Sequence, residues 1–218
     1  MNSRDTRILA DFRAHCTHPE CPICGMVRHA EVRTLQVFCA EGAGDELRRA
    51  DIRNARGLCV HHGAMLLDAR DALAAAVTAL DLMTNLLRDL DGLERAPRWP
   101  KPRLKKPKKC PVCTEMTRYN LAVCAGVLAW GDDAQFQLAL AQSHGICAPH
   151  LRILASHAVL PVGFIAAQRT AWERVRADVA EYIRKRDDRF RHEPDAHEAD
   201  AWRRAWVVIS GSSFTVND

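Results

Sequence analysis

Cys21-Pro22-Ile23-Cys24, followed by Gly57-Leu58-Cys59-Val60-His61-His62, returns further along the chain as Cys110-Pro111-Val112-Cys113 and Gly145-Ile146-Cys147-Ala148-Pro149-His150. Thirty-four residues separate the two motifs in the first copy and thirty-three in the second, and a glycine stands two places ahead of the third cysteine in both. A duplicated order of four ligand types predicts two tandem copies of one unit. The fold expected is all-α: a helical bundle from two tandem pseudo-repeats, each with a three-Cys-one-His metal site. The repeat assigns Cys21, Cys24, Cys59 and His62 to the first site, and Cys110, Cys113, Cys147 and His150 to the second.

A cysteine pair two residues apart grips one ion from a tight turn, and a distant Cys-x-x-His completes a tetrahedron. Three thiolates and one imidazole fill four positions, the usual arrangement of structural zinc. Zinc, two per chain, is therefore the expected cofactor, with an iron–sulfur cluster as the alternative. A filled shell leaves no position for an activated water, which argues against hydrolytic metal catalysis. His61 competes with His62, but Ala148-Pro149 in the second copy places the ligand three residues after the cysteine.

The segments around the motifs read as helices. Val27, Ala30, Leu35 and Phe38 follow the first pair at helical spacing, and Met116, Tyr119, Leu121, Val123 and Leu128 follow the second. Acidic starts at Asp45-Glu46 and Asp132-Asp133 favour short second helices, ending near Gly57 and Gly145. Beyond His62, Leu66, Leu73, Leu80 and Leu87 recur every seventh residue, with Ala69, Ala76, Met83 and Leu90 three later. That is an a/d seam over four heptads. The second copy restarts after Pro161 with Ile165, Trp172, Val175, Val179 and Tyr182. These two long helices are expected to pack together or against a second subunit. A last helix near 196–209 carries Trp202, Ala205, Trp206 and Ile209 on one face. The domains expected are 1–95, a basic proline-rich linker 96–109, and 110–218.

Nothing in the 218 residues is long and apolar enough for a membrane span, and the charged N-terminus is unlike a signal peptide. A cytoplasmic location follows, where nine cysteines are kept reduced. The net charge of +4 comes from one place: Arg95 to Lys109 holds eight Lys/Arg and no acid, leaving 23 basic against 27 acidic residues elsewhere. That stretch, with Trp99, could bind nucleic acid, although a solvated connector is the simpler reading. The charged run 184–194 reads as an exposed helix end laced with ion pairs. No Ser-His-Asp order, phosphate-binding glycine loop or dinucleotide fingerprint is present. Cys39 and Cys124 read as small core residues, while Cys16, in His15-Cys16-Thr17-His18, could be a spare ligand or a redox-sensitive thiol, neither of which is the favoured reading.

The duplicated motifs, with the tail Asp188-Arg189-Phe190-Arg191-His192-Glu193-Pro194 and then Ala201-Trp202-Arg203-Arg204-Ala205, resemble an uncharacterised bacterial family catalogued only as a domain of unknown function. Its members show Cys-Pro-x-Cys and Gly-Phe-Cys-x-x-His twice, then a segment like Asp-Tyr-Arg-Tyr-x-x-Glu-Pro. Here leucine and isoleucine replace the phenylalanine, and the tail is poorer in aromatics. The resemblance implies the architecture and no activity. The function expected is therefore a zinc-stabilised helical adaptor that meets a protein partner, or its own copy, through its long helices. A redox or metal-responsive regulator is the alternative, and nucleic-acid binding through the linker is the third.

Overall fold

The computed structural model describes residues 3–42, 44–94, 106–190 and 192–212. The described residues form ten α-helices and no strand. They are α1 (Ser3–His15), α2 (Pro22–Val37), α3 (Glu46–Ala55), α4 (Val60–Asp68), α5 (Ala72–Glu94), α6 (Pro111–Ala129), α7 (Ala134–Gln142), α8 (Ala148–His157), α9 (Val162–Lys185) and α10 (Ala201–Ser210), with a π-helical turn, Phe38–Gly42, after α2. None is long and apolar enough to cross a membrane. Of the basic segment 96–109 expected to act as a linker, residues 96–105 lie outside the described residues.

Two compact units emerge, and they differ from the halves 1–95 and 110–218 expected from the repeat. One joins residues 1–28 to 119–218, and the other is residues 29–118. The division falls inside α2 and inside α6. The reason is length. At about 1.5 Å per residue, α2 carries the chain some 20 Å from Cys24, whereas the ten residues of α3 span only about 15 Å.

In the unit 1–28 with 119–218, Phe12, Phe136 and Phe164 are fully buried and stack in series, their ring centroids 4.6 and 6.0 Å apart. Leu140, Ile146 and Leu154 complete this core. Asp133 caps α7 by accepting from the Phe136 amide at 2.8 Å, as the acidic start predicts. α9 packs on α7 and α10. Arg204 reaches Asp178 at 2.8 Å, and Lys185 reaches the buried Glu198 at 2.5 Å, fastening the C-terminal segment to α9. α10 turns Ala201 and Arg204 inward and leaves Trp202, Trp206 and Ile209 exposed.

In the unit 29–118, Leu35, Val112 and Met116 form one small core, and Phe38, Ile52 and Leu66 another. Asp45 caps α3, accepting from the Leu47 amide at 2.9 Å. The single helix expected beyond His62 is broken at residues 69–71, where Arg70 adopts φ 58° and Asp71 caps α5 through the Ala74 amide at 2.9 Å. α5 then packs on α3 with its polar side: Asp81 accepts from Arg49 at 3.1 Å and Arg53 at 2.9 Å, and Asp89 accepts from Arg56 at 3.1 Å. Thr78 and Ala74 are buried on that side. Leu73, Leu80, Met83, Leu86, Leu87 and Leu90 are exposed.

Candidate metal centres

All eight sequence-predicted ligands stand at helix starts. Pro22 and Pro111 open α2 and α6, where a missing amide hydrogen costs nothing. This places Cys21 and Cys110 just before a first turn, and Cys24 and Cys113 within it. Cys59 and Cys147 are the N-caps of α4 and α8, in extended backbone, with His62 and His150 one turn inside. The turn into each cap needs the left-handed region. Gly57 has φ 119° and Gly145 φ 83°, and a side chain at 145 would meet Gln168 Nε2 at 2.6 Å. Gln168 holds that loop from both sides, accepting from the Ile146 amide at 2.9 Å and donating to its carbonyl at 3.1 Å.

The ligands come together in fours, but the partners are exchanged relative to the repeat. Cys21 and Cys24 meet Cys147 and His150, while Cys59 and His62 meet Cys110 and Cys113. Each Cys-Pro-x-Cys thus joins the Cys-x-x-His of the other copy, and each set lies inside one compact unit.

In the unit 1–28 with 119–218, His150 Nδ1 lies 3.7 Å from Cys21 Sγ, 3.3 Å from Cys24 Sγ and 3.2 Å from Cys147 Sγ, and Cys24 and Cys147 are 3.7 Å apart. In the unit 29–118, His62 Nδ1 lies 3.1 Å from Cys59, 3.5 Å from Cys110 and 3.3 Å from Cys113, and Cys59 and Cys113 are 3.6 Å apart. A tetrahedral ion with bonds of about 2.3 Å to sulfur and 2.05 Å to nitrogen sets sulfurs roughly 3.8 Å apart and sulfur from nitrogen roughly 3.6 Å. Both groups have these dimensions and could hold a metal ion.

Each histidine presents Nδ1 inward and is oriented from behind through Nε2, an outer contact that fixes ring and tautomer. His62 Nε2 lies 2.6 Å from Glu31 Oε1, and His150 Nε2 lies 3.1 Å from Asn120 Oδ1. Glu31 and Asn120 are both buried, and each stands seven residues past the second cysteine of a pair. His61, the rejected competitor, sits outside and contacts the same Glu31 oxygen at 3.2 Å. Burial, with His61 beside it, pushes His62 down to about 4, leaving its imidazole neutral and fit to ligate. Burial also raises Glu31.

The two centres differ in exposure. Cys21, Cys24, Cys147 and His150 are all buried, whereas Cys59 and Cys113 are partly exposed. Burial and the neighbouring Cys59 push the Cys113 thiol up to about 12, a cost of ionisation that a bound cation would offset. Of the remaining cysteines, Cys16 and Cys124 are buried in the larger core, and burial raises them to about 12 and about 11. Cys39 packs beside Phe38 and Leu66. These three read as packing residues, and Cys16 belongs to neither ligand set.

No curated protein and no solved structure matches the chain. One family does match, over residues 11–215, and its description is "Family of unknown function (DUF6062)". That match takes in both motif pairs, Glu31 and Asn120, and the C-terminal ion-pair segment, so the chain belongs to the DUF6062 family.

Proposed function

We propose that this chain is a zinc-stabilised helical interaction module, in which two metal centres set the helices and α5 offers the working surface. The observation that carries this is the orientation of α5. Its Ala, Thr and Asp side packs on α3, while six large apolar side chains face outward. A helix normally buries its apolar stripe. An exposed stripe of this size, rimmed by polar residues, marks a docking site.

Zinc is the favoured ion on size. The ligand atoms of each set lie within 4.8 Å of one another, which suits one ion; a polynuclear cluster would hold its cysteines apart by its own width. The zinc would supply folding energy by tying four helix starts into two knots.

The first test is metal content and colour of protein purified without air, with two zinc per chain and no visible absorbance expected. The second is a photo-reactive residue at position 80 in the producing cell. It should give covalent adducts with protein that the same residue at the exposed position 152 does not. Absence of adducts at position 80 would end the docking reading.

A redox or metal-responsive regulator is the second reading, favoured by the partly exposed Cys59 and Cys113, 3.6 Å apart. Peroxide would take two electrons from those two thiolates, forming their disulfide, two waters once protons are supplied, and free zinc. Release of one zinc per chain by about one equivalent of peroxide would favour it; retention of both ions would remove it.

A further inference from the structure

The outward stripe of α5 is complementary to itself when run in the opposite direction. In an antiparallel pair of heptad helices, a positions face d positions of the other helix. Setting Leu80 against Met83 of a second copy then brings Leu73 against Leu90, and Ala76 against Leu87. Every layer matches large with large or small with large. Beside the seam, the same register sets Ala79 against Leu86 on one flank and Val77 against Thr84 on the other. It also brings the start of α5, with Arg70 in the turn just ahead of it, alongside Asp91 of the partner, once at each end of the pair. A parallel pair does worse at each point. Ala76 would face Ala76 and leave a void, and Leu86 would flank Asp91.

Size and shape agree. Leu73, Leu80, Met83, Leu86, Leu87 and Leu90 are 73, 68, 53, 47, 56 and 54% exposed. They offer roughly 600 Å² per copy, and with Ala72, Ala76, Ala79 and Val77 the stripe nears the ~800 Å² each partner contributes to a standard interface. A groove of about 400 Å³ runs beside it, walled by Leu67, Ala79, Leu82 and Leu86 and opened by Gly63, where nothing lies within 4 Å of the space a Cβ would take. Arg70 and Asp91 are both exposed, so each is placed to meet a partner's charge.

We infer that the occupant of this face is a second copy of the chain, bound through α5 across a two-fold axis between Leu80 and Met83, with the two α5 helices antiparallel. This rests on the reading of α5 as a docking surface and names what docks there. An isologous contact of this kind uses one patch twice, so every substitution acts twice.

Sedimentation velocity on the metal-loaded chain should give twice the chain mass at micromolar concentration. Leu80→Asp should give a monomer with unchanged metal content and helicity. Arg70→Asp and Asp91→Arg should each weaken the dimer about tenfold, since each creates two like-charge pairs, and the double variant should restore it. Position 70 accepts aspartate because Asp tolerates its left-handed φ. A monomer at high micromolar concentration, a dimer indifferent to Leu80→Asp, or charge reversals without rescue would each overturn the inference. If the chain is a monomer while position 80 cross-links to a different protein, the second copy is wrong and the docking surface stands.

Discussion

A cysteine at a helix N-cap is a thiolate placed where the helix dipole welcomes negative charge. Cys59 and Cys147 hold that position, and the Cys-Pro-x-Cys pairs straddle the starts of α2 and α6. The eight cysteines and histidines that gather into the two groups could be named from sequence because each motif spans one turn. Glu31 and Asn120 could not. They share a place, two turns beyond their pairs, but differ in type, so no residue pattern repeats there to be noticed. Their difference is testable. Glu31→Gln removes the carboxylate behind His62, 2.6 Å away, and should weaken metal binding in the unit 29–118 about tenfold or more. In competition with a chromophoric chelator, one ion should leave sooner than in the wild type and the other unchanged. Equal loss of both ions would show that Glu31 acts on the fold as a whole.

At the scale of the element, periodicity told which residues share a face and was silent on which way the face points. The seven-residue leucine repeat is present, yet Leu66 is buried on α4 while Leu73, Leu80 and Leu87 are exposed on α5. The break between them carries no sequence signal, because Ala69-Arg70-Asp71 holds neither glycine nor proline. α10 does the same on a smaller scale, burying Arg204 and showing Trp202 and Trp206. α5 is attached by Ala75 and Leu82, which pack on the Phe38, Ile52 and Leu66 core, and by the ion pairs of Asp81 and Asp89, which gives neighbouring residues opposite roles. Asp81→Ala leaves Arg49 and Arg53, each side chain only 20–25% exposed, with Glu46 as their remaining carboxylate and cuts their tie to α5, and should cost about 1 kcal/mol in urea unfolding of the metal-loaded protein. A comparable loss when Leu80 is truncated to alanine in a monomeric background would show that the leucine face is also internal packing.

For the whole molecule, the ligand order along the chain is outer, inner, inner, outer, and the centres are nested. The repeat suggested tandem pairing because its spacing is regular; spacing cannot say which distant start a helix returns to once α2 has carried the chain away. Substitution in pairs separates the two arrangements. Cys24→Ser with Cys147→Ser should leave one zinc per chain, whereas Cys24→Ser with Cys59→Ser should leave none, measured by metal analysis of the folded fraction. Tandem pairing requires the reverse.

Nesting also sets a schedule for synthesis. The inner centre is complete once His62 and Cys113 have both left the ribosome, but Cys21 and Cys24 wait for His150, 126 residues after Cys24. At ordinary elongation rates of about 5–20 residues per second, that is roughly 6–25 s with a reduced cysteine pair uncovered on the nascent chain. The ligands translated first are therefore the last to be sealed, and the most deeply buried centre of the finished protein is the one most open to wrong metals and oxidants while it is being made.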